Sequence, residues 1–351
     1  NARLVADITL NENVLNADGS LATGSFRQWR PIGSYDAHYT GTFDGKQHTI
    51  YGLYINRPTQ GNYPNGNYSG LFGYTKDANL HDINVAAGYI DGGQYVGGIV
   101  GYAHSTSITR CSNANTVNSG YYGMMGGITG YQYYGSLFHC YNVGIINSHK
   151  RSSLYVGGIV GRLFANANSC YSVASVYGSF YVGAVVGELT SGYRTTNCYY
   201  LRETAYAKTL AQYGVGAPEG DRMADALGSM DTIAVGTLAT GELAWLMNSK
   251  NAEPVWLQTI GVDAVPTFVG DTVFRVVNCP EGYTYSNART QMHTLTYEEK
   301  VDATCTEHGH VAGYTCSVCH KHFEDETALI ELSELEWVIA KLGHNAVADE
   351  Y

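Results

Sequence analysis

The sequence predicts an all-β protein in which a β-solenoid is followed by a helical or loop-rich cap and a small β-rich C-terminal module. Three observations predict it: a recurring glycine-rich motif, a cysteine-containing motif midway between its copies, and a change of composition near the C-terminus. The expected boundaries are 1–201 for the solenoid, 202–279 for an irregular insertion with the cap, and 280–351 for the module.

The overall composition excludes several classes of partner. The chain has 351 residues, of which 44% are hydrophobic, so it is long enough and apolar enough to bury a core. Only 15% of residues are charged, the formal net charge is -11, and no run of Lys or Arg occurs, which argues against nucleic-acid binding. No apolar run approaches the roughly 18 residues of a membrane span, so membrane insertion is not expected.

A glycine-rich motif recurs five times and defines the repeat. The copies begin with GLFGY at Gly70 and GGIVGY at Gly97, and continue with GGITGY, GGIVGR and GAVVGE. They share one aliphatic position every 26 to 31 residues, occupied by Leu71, Ile99, Ile128, Ile159 and Val185. A ligand loop would occur once, whereas this spacing is typical of a solenoid whose glycines permit close backbone approach where coils stack.

A second motif lies midway between the glycine-rich copies and carries a cysteine each time. These cysteines recur every 28 to 30 residues, at Cys111, Cys140, Cys170 and Cys198. Two short β segments per period, without helical periodicity between them, favour a β-solenoid over a helical or leucine-rich repeat. Adjacent strands lie about 4.8 Å apart, within reach of a disulfide, but stacked inward side chains point in parallel. Free buried cysteines that act as small hydrophobes are therefore expected.

These motifs resemble a known repeat family. The YVGGIVG stretch at Tyr95 and again at Tyr155, together with CYNVG at Cys140, is similar to the GLUG-motif repeats of large bacterial surface proteins. Residues 29–56 resemble the segment that opens such repeats, and residues 240–268 resemble the one that closes them in gut Gram-positive bacteria. The resemblance covers about residues 1–279. It implies a right-handed parallel β-helix at the cell surface or cell wall, without a shared activity or shared catalytic residues.

Carboxylates are scarce where an enzyme on a β-helix would need them. Glycoside hydrolysis uses two carboxylates about 5 to 9.5 Å apart, yet no Asp or Glu occurs between Gly92 and Gly187. The remaining candidates are Asp36 and Asp44 near the start and Asp77, Asp82 and Asp91 in the first coils. Of these, Asp44-Gly45 is the usual signal of a turn between strands of a hairpin. No catalytic residue is assigned, and the protein is predicted not to be an enzyme.

Tyrosines recur at or near related positions of the repeat. Those that would stack along the coils are Tyr95, Tyr121, Tyr122, Tyr133, Tyr134, Tyr155 and Tyr181. An exposed stripe of this kind would bind sugar rings or a partner protein, because aromatic faces give a large contact area at low entropic cost. Cross-strand aromatic pairs also contribute about 0.2 to 1 kcal/mol each without any ligand. Stabilisation of the sheet is therefore the preferred explanation, and ligand binding is the alternative.

The segment after the coils breaks the repeat. Residues 203–236 are rich in Ala, Gly and polar side chains, which indicates a loop-rich or partly helical insertion. Thr240 then precedes GELAWLMN, the pattern of a short amphipathic helix behind a Thr N-cap. Solenoids need a cap over the last coil, and the apolar side chains available for it are Trp245, Trp256 and Phe268.

The C-terminal stretch differs in composition and predicts a metal site. Six of the twelve histidines lie between His293 and His344, and a C-x-x-C pair follows Cys305 after ten residues. Such a pair places two thiolates around one tetrahedral ion, as in zinc ribbons. The predicted ligands of a structural zinc ion are Cys305, Cys316, Cys319 and His344, with His293 as the alternative to His344.

Other states of these cysteines stay open. A disulfide from Cys305 to Cys316 or Cys319 is one alternative, and free thiols are another. Catalytic zinc is not expected, because four protein ligands would leave no open position for water. The stretch from ATCTEHG to CSVC resembles short cysteine-containing repeats of Firmicute surface proteins, although His320 stands where those repeats have glycine.

The predicted function is that of a non-enzymatic extracellular surface protein. It would act in adhesion, by binding a glycan or a host or matrix protein, or as a spacer, and it is expected to be a monomer. Two alternatives remain. The chain could be the accessory part of a secreted carbohydrate-active or proteolytic enzyme, or it could itself be a polysaccharide lyase or glycosidase built on the β-helix.

Overall fold

The computed structural model of the protein describes residues 1–57, 67–119, 123–148, 155–178, 181–201, 205–207, 215–218, 230–249, 251–277, 279, 282–288 and 293–343. The chain folds into two compact units, residues 1–235 and 236–351. Within these described ranges no helix has the length and apolar character that crossing a membrane requires.

The N-terminal unit is a stack of coils whose parallel strands form three sheets, which confirms the predicted all-β solenoid. The first sheet contains β1 (Ala2–Arg3), β3 (Thr42–Asp44), β7 (Phe72–Lys76), β8 (Asn79–His81), β11 (Val100–Thr109), β14 (Thr129–Phe138), β18 (Val160–Asn168), β22 (Val186–Leu189), β23 (Thr195–Thr196) and β26 (Val215–Pro218). The second contains β6 (Tyr68–Ser69), β10 (Tyr95–Gly97), β13 (Met124–Gly126), β17 (Tyr155–Gly157) and β21 (Tyr181–Gly183).

The third sheet is built from the cysteine-containing half of each period. It contains β2 (Ile8–Thr9), β4 (Thr49–Tyr51), β5 (Tyr54–Asn56), β9 (Asn84–Gly92), β12 (Ser112–Ser119), β15 (Tyr141–Asn142), β16 (Ile146–Ser148), β19 (Tyr171–Ser172), β20 (Val176–Gly178), β24 (Cys198–Leu201), β25 (Ala205–Ala207) and β27 (Met230–Ile233). Equivalent residues of successive coils pair in register, so the sequence repeat is also a spatial repeat.

The aliphatic position shared by the glycine-rich motifs lies in the core. Ile99, Ile128 and Ile159 have no exposed surface and belong to one apolar cluster that extends along the coils. A Cβ added to Gly127 would lie 2.2 Å from the carbonyl oxygen of Gly158 in the next coil. No side chain fits at that distance, so these glycines serve the stacking of coils, as predicted.

The four repeated cysteines are buried free thiols, also as predicted. Each follows a corner residue in the left-handed conformation; His139 and Ser169, for example, both have φ of 51°. The amide N–H of Cys140 donates to the sulfur of Cys170 at 3.5 Å, which links neighbouring coils. Burial raises the pKa of the Cys140 thiol well above its ordinary value, so this cysteine behaves as a small hydrophobe.

Asp44 and Gly45 begin a turn, but the turn is a corner of a coil and not a hairpin. The strand before it, β3, and the strand after it, β4, belong to different parallel sheets. Lys46 and Gln47 have φ of 53° and 61°, and the amide N–H of Lys46 donates to the Asp44 carboxylate at 3.0 Å. The sequence indicated the turn and not its type, because hairpin turns and coil corners both require positive φ.

The sheets continue past residue 201, where the solenoid was expected to end. β25, β26 and β27 lie in the stretch that was expected to be an irregular insertion. They pair in parallel with β20, β22 and β24 respectively. Backbone pairing with the preceding coil therefore extends to Ile233, although the glycine-rich motif has ended.

The C-terminal unit begins with a short helical region. A 3-10 helix at Val235–Thr240 leads into α1 (Glu242–Asn248), which confirms the predicted helix. Its N-cap residue is Gly241, with φ of 91°, and not Thr240. The Thr240 hydroxyl accepts a long hydrogen bond of 3.4 Å from the amide N–H of Glu242. At this length the contact caps the helix only weakly, while the same hydroxyl donates to the carbonyl oxygen of Thr237 at 2.7 Å.

The segment after α1 has its own small apolar contacts. Trp256 is fully buried, and its ring lies 4.8 Å from that of Phe268. Trp245 of α1 lies 5.9 Å from Tyr285 in a hairpin formed by β28 (Phe274–Val277) and β29 (Tyr283–Ser286). These aromatic residues pack within the C-terminal unit, and the proposal that they plug the last coil stays a prediction.

The Cys/His module (residues 293–343) follows this hairpin. Its main sheet is antiparallel and contains β30 (Leu295–Glu298), β32 (Gly313–Cys316), β33 (His322–Phe323) and β34 (Glu331–Leu332). A second pair joins β31 (Gly309–His310) to β35 (Val338–Ile339), and α2 (Glu334–Trp337) lies between β34 and β35. The rings of His310 and His322 both stack on the buried Trp337.

Candidate functional site

Two ladders of side chains, most of them tyrosines, meet along the bend between the first and second sheets. The first ladder consists of the opening residue of each strand of the second sheet, Tyr68, Tyr95, Met124, Tyr155 and Tyr181. The rings of Tyr68 and Tyr95 stack at 5.2 Å between centroids, and those of Tyr155 and Tyr181 at 5.1 Å. The in-register pairing of parallel strands about 4.8 Å apart places these rings one above the other.

The second ladder is the last letter of each glycine-rich motif. It runs along the first sheet through Tyr74, Tyr102, Tyr131, Arg162 and Glu188. Tyr74 and Tyr102 stack at 4.8 Å, and Tyr95 of the first ladder meets Tyr102 edge to face at 5.1 Å. We call the two ladders together the aromatic corner.

An ion pair lies at one end of the aromatic corner. Arg162 pairs with Glu188 of the next coil, and Glu188 is only 7% exposed. The guanidinium carbon of Arg162 also lies 5.2 Å from the ring centroid of Tyr155 and 5.1 Å from that of Phe164. A carboxylate this buried requires a partner, and Arg162 supplies it while packing its plane against aromatic faces.

A further aromatic group flanks the second ladder. Tyr133 lies 5.5 Å from Phe164 and 4.3 Å from Tyr134, measured between ring centroids. Tyr134 is 45% exposed and has φ of 59°, a conformation uncommon for a bulky residue. The irregularity in β14 at this point directs its ring outward, beside the aromatic corner.

The structure groups most of the tyrosines predicted to form a stripe. Tyr95, Tyr155 and Tyr181 lie in the first ladder, and Tyr133 and Tyr134 lie in the flanking group. Tyr121 and Tyr122 lie outside the described residues. The second ladder was missed, although alignment of the glycine-rich motifs by their final letters would have shown it. Glu188 was missed because it lies one residue beyond the stretch without carboxylates.

The phenols of the second ladder are protonated at neutral pH. Burial raises the pKa of Tyr131 to about 12, and it also raises the pKa of Tyr102. Both hydroxyl groups can therefore donate as well as accept hydrogen bonds. The aromatic corner combines apolar ring faces with neutral polar groups.

The acidic residues near the start of the solenoid form an ion-pair network. Asp44, His81 and Asp82 have ligand atoms within 4.8 Å of one another. Each carboxylate, however, has a cationic partner: Lys46 lies 3.0 Å from Asp44, and Arg110 pairs with Asp82. Asp36, another candidate acid, is exposed on the surface. The ion pairs account for the positions of the Asp44 and Asp82 carboxylates.

A second candidate site combines three residues of the Cys/His module with one that precedes it. One donor atom each from Cys279, His293, Cys316 and Cys319 lies within 4.8 Å of the others, a group that could hold a metal ion. Burial opposes ionisation of Cys316, but N–H groups of Cys319 and Val318 point at its sulfur and lower its pKa to about 5. A thiolate is therefore favoured at this position.

The structure brings together only part of the ligand set predicted from the sequence. Cys316, Cys319 and the alternative ligand His293 belong to the group. Cys305 is exposed and lies outside it, while His344 falls outside the described residues. Cys279 was not predicted, because it precedes the composition change that marked the module. Its only signal in the sequence was that it fell outside the cysteine repeat.

Comparison with known proteins identifies one motif. No curated protein matches the chain. A solved structure, that of a "putative immunoglobulin A1 protease from Bacteroides ovatus", is similar at 16% identity with a TM-score of 0.44, over 76% of this chain and 84% of that chain. A similarity this weak carries no argument about function. The family model of the GLUG motif matches residues 92–118, which include β10 and β11, and the chain therefore contains the GLUG motif predicted from its repeats.

Proposed function

We propose that this chain is a non-enzymatic, extracellular binding protein whose aromatic corner holds a glycan. The observation that carries the proposal is the first ladder, whose tyrosine rings are in register and at least partly exposed, and which packs against the largely buried rings of the second ladder. The apolar faces of sugar rings pack on aromatic faces, and rigid tyrosines give contact area at low entropic cost. A ladder that repeats along the coils suits a polymer that repeats along its own length.

The charge of the aromatic corner favours a neutral glycan. Its cation, Arg162, is already paired with Glu188, so it is not available to neutralise an acidic sugar. The two charged groups can still accept and donate hydrogen bonds to sugar hydroxyls at the end of the ladder. The same rings would stabilise the sheet without a ligand, and the experiment below separates the two roles.

The GLUG motif and the ion pairs support two further parts of the proposal, the extracellular location and binding without catalysis. GLUG-type repeats are typical of secreted proteins, which supports an extracellular location and an attachment to a bacterial surface. Binding without catalysis is supported by the pairing of Asp44, Asp82 and Glu188 with cationic side chains. We expect the chain to act as a monomer and to bind a glycan in preference to a host or matrix protein.

We also propose that the group of Cys279, His293, Cys316 and Cys319 binds a zinc ion in a structural role. Three thiols and one imidazole are the donors that tetrahedral zinc prefers. Four protein ligands leave no position for water or substrate, which supports a structural over a catalytic ion.

A glycan array that includes mucin and plant polysaccharides tests the binding proposal. We expect saturable binding by the wild-type chain, with no release of product in the same wells. Tyr181→Ala should weaken binding at least tenfold, because this ring is 43% exposed and ends the first ladder. Tyr51→Ala is the matched control, since Tyr51 is 37% exposed on the third sheet, away from the aromatic corner, and its removal should leave binding unchanged.

Three results would contradict the proposal. Equal effects of the two substitutions would show that the aromatic corner is not the binding surface. Product release would show an enzyme. Absence of binding to every glycan would favour a spacer whose function lies in its neighbours.

A further inference from the structure

The C-x-x-C pair of the Cys/His module forms a turn that is prepared for a metal ion. Cys316 ends β32 with no exposed surface, and the amide N–H of His320 donates to its carbonyl oxygen at 2.9 Å. His320 closes the turn with φ of 60°. The turn places the sulfur atoms of Cys316 and Cys319 within 4.8 Å of each other, as two ligands of one ion require.

His293 reaches the same place from the neighbouring strand. It lies just before β30, which pairs antiparallel with β32 so that Leu295 is opposite Cys316. The His293 ring packs on Phe323 at 4.6 Å, and its Nδ1 atom lies 3.5 Å from the sulfur of Cys319. Strand pairing and ring packing together fix the imidazole beside the two cysteines.

Cys279 comes from a different part of the chain. It lies in the loop between β28 and β29, ahead of the module, and its sulfur is 3.4 Å from that of Cys316. Four ligands at tetrahedral zinc, with Zn–S bonds of about 2.3 Å, place their sulfur atoms about 3.8 Å apart. The observed separation is close to that value. A disulfide between Cys279 and Cys316 would leave the convergence of Cys319 and His293 unexplained.

Cys305, the ligand expected from the sequence, has another environment. It is exposed within a turn in which the Thr304 hydroxyl accepts a hydrogen bond from the amide N–H of Glu307 at 3.0 Å. The turn is therefore complete without a metal, and Cys305 contributes no atom to the group.

We infer that Cys279 completes the zinc site and that the ion fastens the β28–β29 hairpin to the module. The hairpin is anchored on its other side, where Arg275 lies 4.5 Å from the ring centroid of Trp245 in α1. Asn287, just after β29, donates to the carbonyl oxygen of Gln258 at 2.8 Å. One ion thus joins two successive parts of the C-terminal unit, the hairpin and the module. This inference rests on the zinc proposal and adds the identity of the fourth ligand.

Metal analysis of the full chain, purified under reducing conditions, tests the ligand set. Wild-type protein should contain about one zinc per chain, as four protein ligands around one ion require. Cys279→Ser should lose most of this zinc, and Cys305→Ser, the matched control, should retain it. In Cys279→His an imidazole replaces the thiolate, so the variant should retain metal.

Cobalt substitution distinguishes ligation from packing. Thiolate-to-cobalt charge transfer should be weaker in Cys279→His than in the wild type, because one of three thiolates has been replaced. Retention of zinc by Cys279→Ser with its loss from Cys305→Ser would overturn the inference and leave the zinc proposal standing. Wild-type protein without zinc, or with an oxidised Cys279–Cys316 pair under the same conditions, would overturn both.

Discussion

The solenoid and the Cys/His module use cysteine in opposite ways. In the coils, Cys111 and Cys140 are buried among aliphatic side chains and fill space. In the module, Cys316 is equally buried, but its neighbours are two other cysteines and a histidine. The difference shows that burial alone does not define the role of a thiol. The donors that surround it decide whether it acts as a small hydrophobe or as a ligand.

The two regions also differ in how they gain stability. The apolar cluster of the coils extends from Phe43 to Tyr200, and each new coil adds to it. In the described part of the module, the cluster around the cysteines has only Cys316, Phe323 and Ala328 as buried members. A domain of this size rarely obtains more than about 3–5 kcal/mol from its core alone. We therefore expect the metal ion to supply what the core lacks.

The largest effect should follow removal of two ligands together. Cys316→Ser with Cys319→Ser should release the ion and unfold the module, because the binding free energy of a structural zinc ion is largely folding free energy. The coils should remain folded. Hydrogen exchange checks both statements at once: amides of β32 and β33 should lose protection, while those of β11 and β14 keep it.

A chelator gives the matching control for that experiment. Wild-type protein treated with it should reproduce the exchange pattern of the double variant, and added zinc should reverse the change. If amides of β32 stayed protected from exchange after complete removal of the metal, the module would be stable through its own core. The proposed difference between the solenoid and the module would then be wrong.

A smaller and local effect is expected from a cavity in the solenoid. Ile128→Ala should cost about 2–5 kcal/mol, the usual range for loss of a large buried aliphatic side chain. Val143, which is 36% exposed, offers a control in Val143→Ala, with a change within about 0.5 kcal/mol. Urea unfolding measures both values. Zinc content should be unaffected in either variant, and a loss of zinc would show that the two regions depend on each other.

The sequence predicted the solenoid well and the metal site only in part, for a physical reason. Each copy of a repeat confirms the others, so one atypical residue, such as Met124 among the tyrosines of the first ladder, does not change the register set by the aligned glycines. The proposed zinc site occurs once, and its ligands come from strands whose pairing is not local. Cys316 and Cys319 were recognisable because one turn holds them. Cys279 was not, because nothing in the sequence shows which loop reaches the turn.

The aromatic corner was missed in part for a similar reason. Tyr95 and Tyr102 stand seven residues apart, and their edge-to-face contact exists only because the chain bends between β10 and β11. The periodicity along the chain identified Tyr95, Tyr155 and Tyr181 of the first ladder as repeated positions. It could not show that the two ladders face one another.

The stability of the solenoid should depend on alkaline pH through the second ladder. Tyr131 has an ordinary pKa of 10.0, which burial raises to about 12 in the folded protein. The unfolded chain therefore loses this proton first. The contribution of Tyr131 should be fully present below pH 10 and lost as pH rises from 10 to 12. Urea midpoints across this range should fall less in Tyr131→Phe than in the wild type.

Exposed Tyr51 again gives a control for that experiment. Tyr51→Phe should leave the pH dependence of the wild type intact, because this ring is 37% exposed. An identical pH dependence in wild type and Tyr131→Phe would mean that the buried phenol of the second ladder does not contribute.

The smallest change in stability should come from replacing either of two alanines by glycine. Both alanines have a left-handed backbone conformation, but one is exposed and the other is buried. Ala87 in β9 and Ala328 in the module have φ of 54° and 53°. The left-handed conformation costs a residue other than glycine about 1–2 kcal/mol of folding free energy. Substitution by glycine removes this cost, but it makes the unfolded chain more flexible, which costs about 0.5–1 kcal/mol. Ala87 is exposed, so Ala87→Gly should stabilise the coils by up to about 1 kcal/mol.

In the module the same substitution should give no gain. Ala328 has no exposed surface and is one of the few buried residues beside the cysteines, so loss of its methyl group should cost about 0.8 kcal/mol and cancel the relief. Local hydrogen exchange in β9 and β33 measures the two changes. A clear gain in both variants would show that the core of the module is less important to its stability than the buried cluster of Cys316, Phe323 and Ala328 suggests. The metal would then account for nearly all of that stability.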